Sequence, residues 1–268
     1  MGLVFHSVLL VPYFSWKFSH SRHHAGTGSL SRDEVFVPDV LTANSTGGWQ
    51  ETTVFGRAFK LAVALLFGWP AYLLMNSSSE KYKPRYANHF SPWSPVFLSR
   101  KERSLVLLSD AALAAVIFGL HRLAAATGLS FFAGIYVAPY LVVNFWLVCI
   151  TLAQHTHPAL PHFNDARWTW LHGACSTVDR SYGALINSLH HHIADTHIAH
   201  HLFSALPHYH AVEASAALRK AMGAYAIVDQ RPVFRALWED WRVCVSCRED
   251  PKAKGVFWHA IPPPHRAA

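Results

Sequence analysis

"LSFFAGIYVAPYLVVNFWLVCITLAQ" at residues 129–154 contains no Asp, Glu, Lys, Arg or His. As a helix it is long enough to cross the roughly 30 Å hydrocarbon core of a bilayer. Pro139 and Asn144 interrupt it, so neighbouring helices must satisfy the freed backbone groups. Immediately before it, Leu105–Ala126 is also apolar, with Asp110 near one end and His121-Arg122 near the other. Those polar side chains can reach an interface while Ala111–Leu120 crosses. Only Thr127 and Gly128 separate the two runs, which therefore read as a transmembrane hairpin spanning 105–154.

Outward from the hairpin, a third apolar run covers Leu61–Met75, preceded by Arg57 and Lys60 and broken by "GWP" at 68–70. The opening stretch Gly2–Trp16 is apolar apart from His6, and lacks the basic leader and small-residue cleavage site of a signal peptide. Residues 1–18 read as the end of a membrane helix. Half of the 268 residues are hydrophobic, and 15% are charged, which suits a membrane protein with sizeable polar parts. The net charge of +7 is spread over loops and the tail. It fits anionic lipid headgroups or an acidic protein partner, and no nucleic-acid motif accompanies it. Four cysteines are too few for a disulfide framework, and Cys244 and Cys247 read as a reduced surface pair.

Histidine carries the chemistry. The chain has twenty, and the spacing H-x-x-H-H occurs twice, as "HSRHH" at 20–24 and "HIAHH" at 197–201. About 0.1 copies are expected by chance at that frequency. On a helix, positions i, i+3 and i+4 share a face, so His20, His23 and His24 converge, as do His197, His200 and His201. Imidazole suits several metals, but six converging rings exceed one tetrahedral zinc site and argue for two metals. Neither copy contains the Glu of H-E-x-x-H, which disfavours zinc-dependent hydrolysis. A polyhistidine bimetal site beside membrane helices points to oxygen chemistry on lipid, for which iron is the usual metal.

A shared centre also constrains topology. The two clusters must lie on one side of the bilayer, so an even number of crossings separates them. Three apolar runs lie between them, and Leu61–Met75 is the shortest. Residues 57–75 are therefore expected as an interfacial helix, with 20–56 as a cytosolic loop and 155–268 as a cytosolic, histidine-rich region. The expected fold is an all-α integral membrane protein: a transmembrane helical hairpin, interfacial helices and a cytosolic histidine-rich cap. The sequons at Asn44 and Asn76 would then face the cytosol, unglycosylated, and "IPPPHRAA" at 261–268 reads as an irregular end.

Several stretches resemble the membrane fatty-acid desaturases: "HSRHHAGTGSLSRDEVFVP", "GWPAYLLMN", "YLVVNFWLVCITLAQHTHPALPHF", "STVDRSYGALIN", "HHHIADTHIAHHLFSALPHYHA" and, in the tail, "KGVFW". They cover nearly the whole chain in order, with the nearest likeness to the microsomal Δ12 (oleate) branch. The resemblance implies a di-iron enzyme of the endoplasmic reticulum membrane, with its histidine boxes cytosolic. It implies cytochrome b5 as electron donor and conversion of a phospholipid oleoyl chain to linoleoyl. Hydroxylases, epoxygenases and conjugases share these boxes, and assembly with copies of itself or other desaturases is compatible with them. The second box falls on His20, His23 and His24, and the third on His197, His200 and His201. The family's additional histidines fall on His155 and His191. On a helical face with His191, Asn187 would reach metal through water and Asp195 would orient an imidazole.

One departure stands out. The family's first box, H-[ED]-C-G-H-H, occurs nowhere in this chain. The sequence therefore reads as the C-terminal part of a desaturase, expected to bind iron poorly and lack activity taken alone. Under the alternative reading it is a non-catalytic fragment that modulates a full-length partner. A membrane zinc hydrolase is a third reading, distinguished by metal analysis.

Overall fold

The computed structural model describes residues 1–79, 82 and 85–263. The end of the "IPPPHRAA" stretch, from 264 onward, lies outside the described residues, as does His265. The chain is mostly helical, and three of its helices are long and apolar enough to cross a membrane: Val54–Met75, Arg100–Thr127 and the continuous Leu129–His155.

The expected N-terminal helix is two helices. Helix α1 (Gly2–Val8) stops short, and α2 (Tyr13–Gly26) starts anew beyond a break. Leu10 takes a left-handed conformation, φ 55°, and Pro12 precedes α2 as its N-cap. A proline has no N–H to continue the α1 ladder. Tyr136 closes the end of α1 by donating its hydroxyl to Val8 O at 2.6 Å.

After the short α3 (Trp49–Thr52) comes α4 (Val54–Met75), 22 residues long. Thr53 caps its N-terminus, and Asn76, at φ 51°, ends it with a left-handed turn. Asn76 is buried there. The helix is longer than the apolar run because Val54–Lys60 joins it. Length alone would let α4 span, yet both of its ends touch the histidine-rich layer. Near one end, Arg57 O accepts the Trp241 indole N–H at 2.9 Å. Near the other, Tyr72 donates to Glu34 O at 3.1 Å, and the His89 amide donates to Leu73 O at 2.8 Å.

Helix α5 (Arg100–Thr127) opens with a capping box, Ser99 with Glu102, and ends at Gly128, φ 84°, a conformation that favours glycine. The chain returns through α6 (Leu129–Phe132), a π-helical turn at Ala133–Val137, and α7 (Ala138–His155). The wide turn precedes Pro139, which cannot donate to the carbonyl of Ile135. Away from the Gly128 turn the two arms part company. α5 packs on α1 and α2, with Phe14 N donating to Ser109 Oγ at 3.0 Å, while α7 packs on α4, where Gly68 faces Val148. Asn144 is fully buried in α7, and its amide has no hydrogen-bond partner among the described residues.

The remaining chain forms the cap. It holds β1 (His162–Phe163), α8 (Trp170–Ala174), β2 (Asp179–Arg180), α9 (Ala184–Leu189), α10 (His197–Leu202) and α11 (Ala211–Met222), followed by β3 (Val228–Asp229), α12 (Val233–Val243), β4 (Ser246–Glu249) and β5 (Val256–Ala260). The strands make one antiparallel sheet, β1-β5-β4, and a short parallel pair, β2-β3. Arg180, fully buried, ties the parallel pair to α12 through Asp229 at 2.8 Å and Asp240 at 2.6 Å. Cys244 and Cys247 are free thiols, but both are buried rather than on the surface, because β4 is sealed between β5 and the Pro38–Leu41 stretch. His89, which carries no metal-ligand spacing, is also buried and bonds Ser19 Oγ.

Candidate metal centre

Both H-x-x-H-H segments lie on helices, in the last turns of α2 and along α10. His155, the last residue of α7, joins them from the membrane side. The rings sort into two triads whose candidate ligand atoms lie within 4.8 Å of one another: His20, His24 and His200, and His23, His155 and His201. Each triad draws on both α2 and α10. The triads adjoin where His24 stacks on His201, ring centroids 4.3 Å apart. His197 sits beside the second triad, its Nε2 3.2 Å from Nε2 of His155 and of His201.

Outward hydrogen bonds set the ring orientations. His23 donates its Nδ1–H to Asp33 Oδ1 at 2.7 Å, and that oxygen is held in turn by the amides of Val35 and Phe36. His201 Nδ1 lies 3.1 Å from Thr27 Oγ1, whose own proton goes to His23 O, so the imidazole is the donor. His197 donates Nδ1–H to Ile193 O at 3.0 Å. With Nδ1 protonated in all three rings, the Nε2 lone pairs point inward. Burial, reinforced by the neighbouring histidines, holds His20, His197 and His201 well below the usual imidazole range. The same causes lower His24 to about 2 and His200 to about 4. The cluster thus gathers imidazole Nε2 atoms at 3.1–3.2 Å from one another. Such converging imidazole nitrogens fit one or two borderline metal cations.

Two further residues hold α10 in place, and sequence reasoning missed their roles. Asp179 Oδ1 accepts the Ile198 amide at 2.9 Å, capping a helix start whose own N-cap residue, Thr196, provides no side-chain bond. Arg219 grips the other Asp179 oxygen at 2.8 Å. Asp33 lies ten residues after His23, a spacing with no helical or strand signature that discloses the contact.

His191, Asn187 and Asp195 are not brought to the triads. The expected helical face does not exist, because α9 ends at Leu189, and His191 and His192 take left-handed conformations at φ 52° and 62°. The His191 ring packs on His208 at 4.5 Å. Asn187 is spent on the local turn, accepting the Tyr182 amide and donating to Ser181 Oγ. Asp195 pairs with His192 at 2.9 Å instead of a triad ring.

Two cavities approach the centre. One, of about 310 Å³, lies between α4 and α7 and runs from Arg57, Lys60 and Trp241 to Trp69, Tyr72 and Trp16. The other, of about 320 Å³, is walled by Trp16, His20, His24 and His200. Trp16 borders both and packs on His20 at 4.6 Å.

A fatty acid desaturase family model matches residues 1–232. The chain is 49% identical over 261 residues to an omega-6 fatty acid desaturase, endoplasmic reticulum isozyme 2, of Glycine max, covering 97% of this chain and 67% of that protein. It is 48% identical, with the same coverage, to a Δ12 fatty-acid desaturase of Arabidopsis thaliana. An oleoyl-12-hydroxylase of Ricinus communis is 47% identical, again over 97% of this chain and 67% of its own length.

Proposed function

This chain belongs to the fatty acid desaturase family, and from that membership we propose that it forms the two-metal portion of a Δ12 acyl-lipid desaturase, acting on oleoyl chains of membrane phospholipid. The observation that carries the reading is the pair of histidine triads, each assembled from both boxes, with candidate ligand atoms within 4.8 Å of one another. His20, His24 and His200 would hold one iron, and His23, His155 and His201 the other, with His197 alongside the second. Bound there, a pair of irons supplies the oxidising power, drawn from O2, to take hydrogen from an unactivated methylene, which no side chain can do. The chain's own residues do the rest. Asp33, Thr27 and the Ile193 carbonyl fix the rings of His23, His201 and His197, and Asp179 and Arg219 fix α10.

The relatives named for the endoplasmic reticulum, together with three membrane-capable helices, support residence in that membrane. We place the 105–154 hairpin across it, α4 in the interface and the cap on the cytosolic side, where cytochrome b5 would deliver electrons. The similarity to an oleoyl-12-hydroxylase favours 12-hydroxylation as the second reading, since both outcomes begin with hydrogen removal at one methylene.

The test is expression in a eukaryotic host that makes oleate but no linoleate, as the chain alone and joined to the N-terminal segment of a full-length relative. A 9,12-diene supports the reading, and a 12-hydroxy acid transfers it to the hydroxylase. No new fatty acid in either form, with protein present in the membrane, overturns it.

A further inference from the structure

The cavity between α4 and α7 carries its basic side chains at one end. Leu147, Val148, Gly68 and Trp69 line its interior, whereas Arg57 and Lys60, one helical turn apart on α4, line its mouth. Both cations are half-buried. Lys60 is paired with Glu51 at 2.7 Å. Arg57 donates Nε–H to the Glu51 carbonyl at 2.6 Å and has no carboxylate partner among the described residues. Asp39 also borders the cavity, so its lining carries both signs of charge and suits a zwitterionic headgroup better than a polyanion.

A second observation says where this mouth opens. Beside it, Trp49, Phe55 and Phe59 stand exposed at 51%, 75% and 48%, packed together with Trp49 6.2 Å from Phe55 and 5.9 Å from Phe59. Exposed aromatics next to basic side chains on an amphipathic helix are the pattern of an element seated at headgroup depth. The dimensions also match. From Arg57 to Trp69 is twelve residues, or about 18 Å along the helix. That is comparable with the reach of an oleoyl chain from its carboxyl to beyond its double bond. Trp16 closes the far end against His20.

We propose that Arg57 and Lys60 are a phosphate-binding rim, which draws a phospholipid directly from the bilayer and threads one of its acyl chains between α4 and α7 toward Trp16 and His20. The inference rests on the acyl-lipid reading above and supplies its missing carrier recognition. Arg57 offers its remaining guanidinium N–H groups, and Lys60 can exchange Glu51 for phosphate. With the headgroup fixed at the mouth, the length of the cavity sets which methylene reaches the histidines.

Photo-crosslinking tests this without turnover. The full chain in nanodiscs is irradiated with phosphatidylcholine carrying a diazirine in the distal half of an eighteen-carbon chain, and labelled residues are found by mass spectrometry. Parallel arms use the diacylglycerol and the acyl-CoA bearing the same chain. Labelling at Leu147 or Val148 by the phospholipid is expected. It should fall about tenfold or more in R57Q/K60Q, given two lost charge-assisted bonds. The charge-keeping R57K/K60R should retain labelling, and diacylglycerol should label wild type and R57Q/K60Q equally weakly. Undiminished phospholipid labelling of R57Q/K60Q, loss in R57K/K60R as well, stronger labelling by acyl-CoA, or labelling elsewhere overturns the proposal. A labelled cavity in a protein that yields no diene or hydroxy acid leaves this proposal standing and sinks the functional one.

Discussion

His23 and Asp33 meet through a 2.7 Å hydrogen bond from Nδ1 to Oδ1, with both side chains only 2% exposed. A carboxylate at that nitrogen fixes the tautomer and raises the basicity of the opposite one. Asp33→Asn should therefore weaken metal binding by about 10–100-fold. Competitive titration with a chelating dye checks it. Unchanged affinity would mean that His23 does not ligate.

Iron content should separate two histidines that the family resemblance treats alike. His155→Ala removes a member of the second triad and should lose iron, whereas His191→Ala, packed on His208, should keep it. Elemental analysis of the purified variants decides. Equal loss in both would show that the segment around His191 refolds toward the centre when metal binds.

Asp179→Ala should act on α10 as a whole. It leaves the buried Ile198 amide and the Arg219 guanidinium without their acceptor, a destabilisation of about 1–3 kcal/mol. Chemical denaturation of the metal-free protein measures it. Iron retention should fall too, since His197, His200 and His201 ride on that helix.

Acid should destabilise the metal-free fold through histidines that are not ligands. Burial lowers His89 and His259 from 6.5 to about 4. Between about pH 6.5 and 4 the unfolded chain binds protons that the folded chain refuses. The stability these groups contribute is therefore complete above 6.5 and lost as pH falls toward 4. The melting temperature should drop across that window, and His89→Gln should flatten the drop. An unchanged slope would contradict the burial of His89.

How far the sequence could be read follows the range of each interaction. The hairpin was legible because bilayer length and the turn at Gly128 are local facts. The convergence of each H-x-x-H-H segment was legible for the same reason, since helical spacing needs no partner. By contrast, the His191 face failed because nothing in a run of three histidines announces the left-handed backbone at His191 and His192. Asp33 and Asp179 lie 10 and 19 positions from their partners in the chain. Loops set those meetings, and no periodicity records them. The burial of Cys247 depends likewise on a strand and a loop more than two hundred residues apart, which bond at Asp39.

Each triad combines α2 with α10. A chain still on the ribosome, with α2 made and α10 not yet made, therefore owns neither complete triad. Assembly of both triads must wait until residue 201 has emerged and docked, so the order of synthesis itself postpones the site until the fold is closed. A metal held by either triad would clasp segments some 170 residues apart, so metal supply would set how long the fold persists.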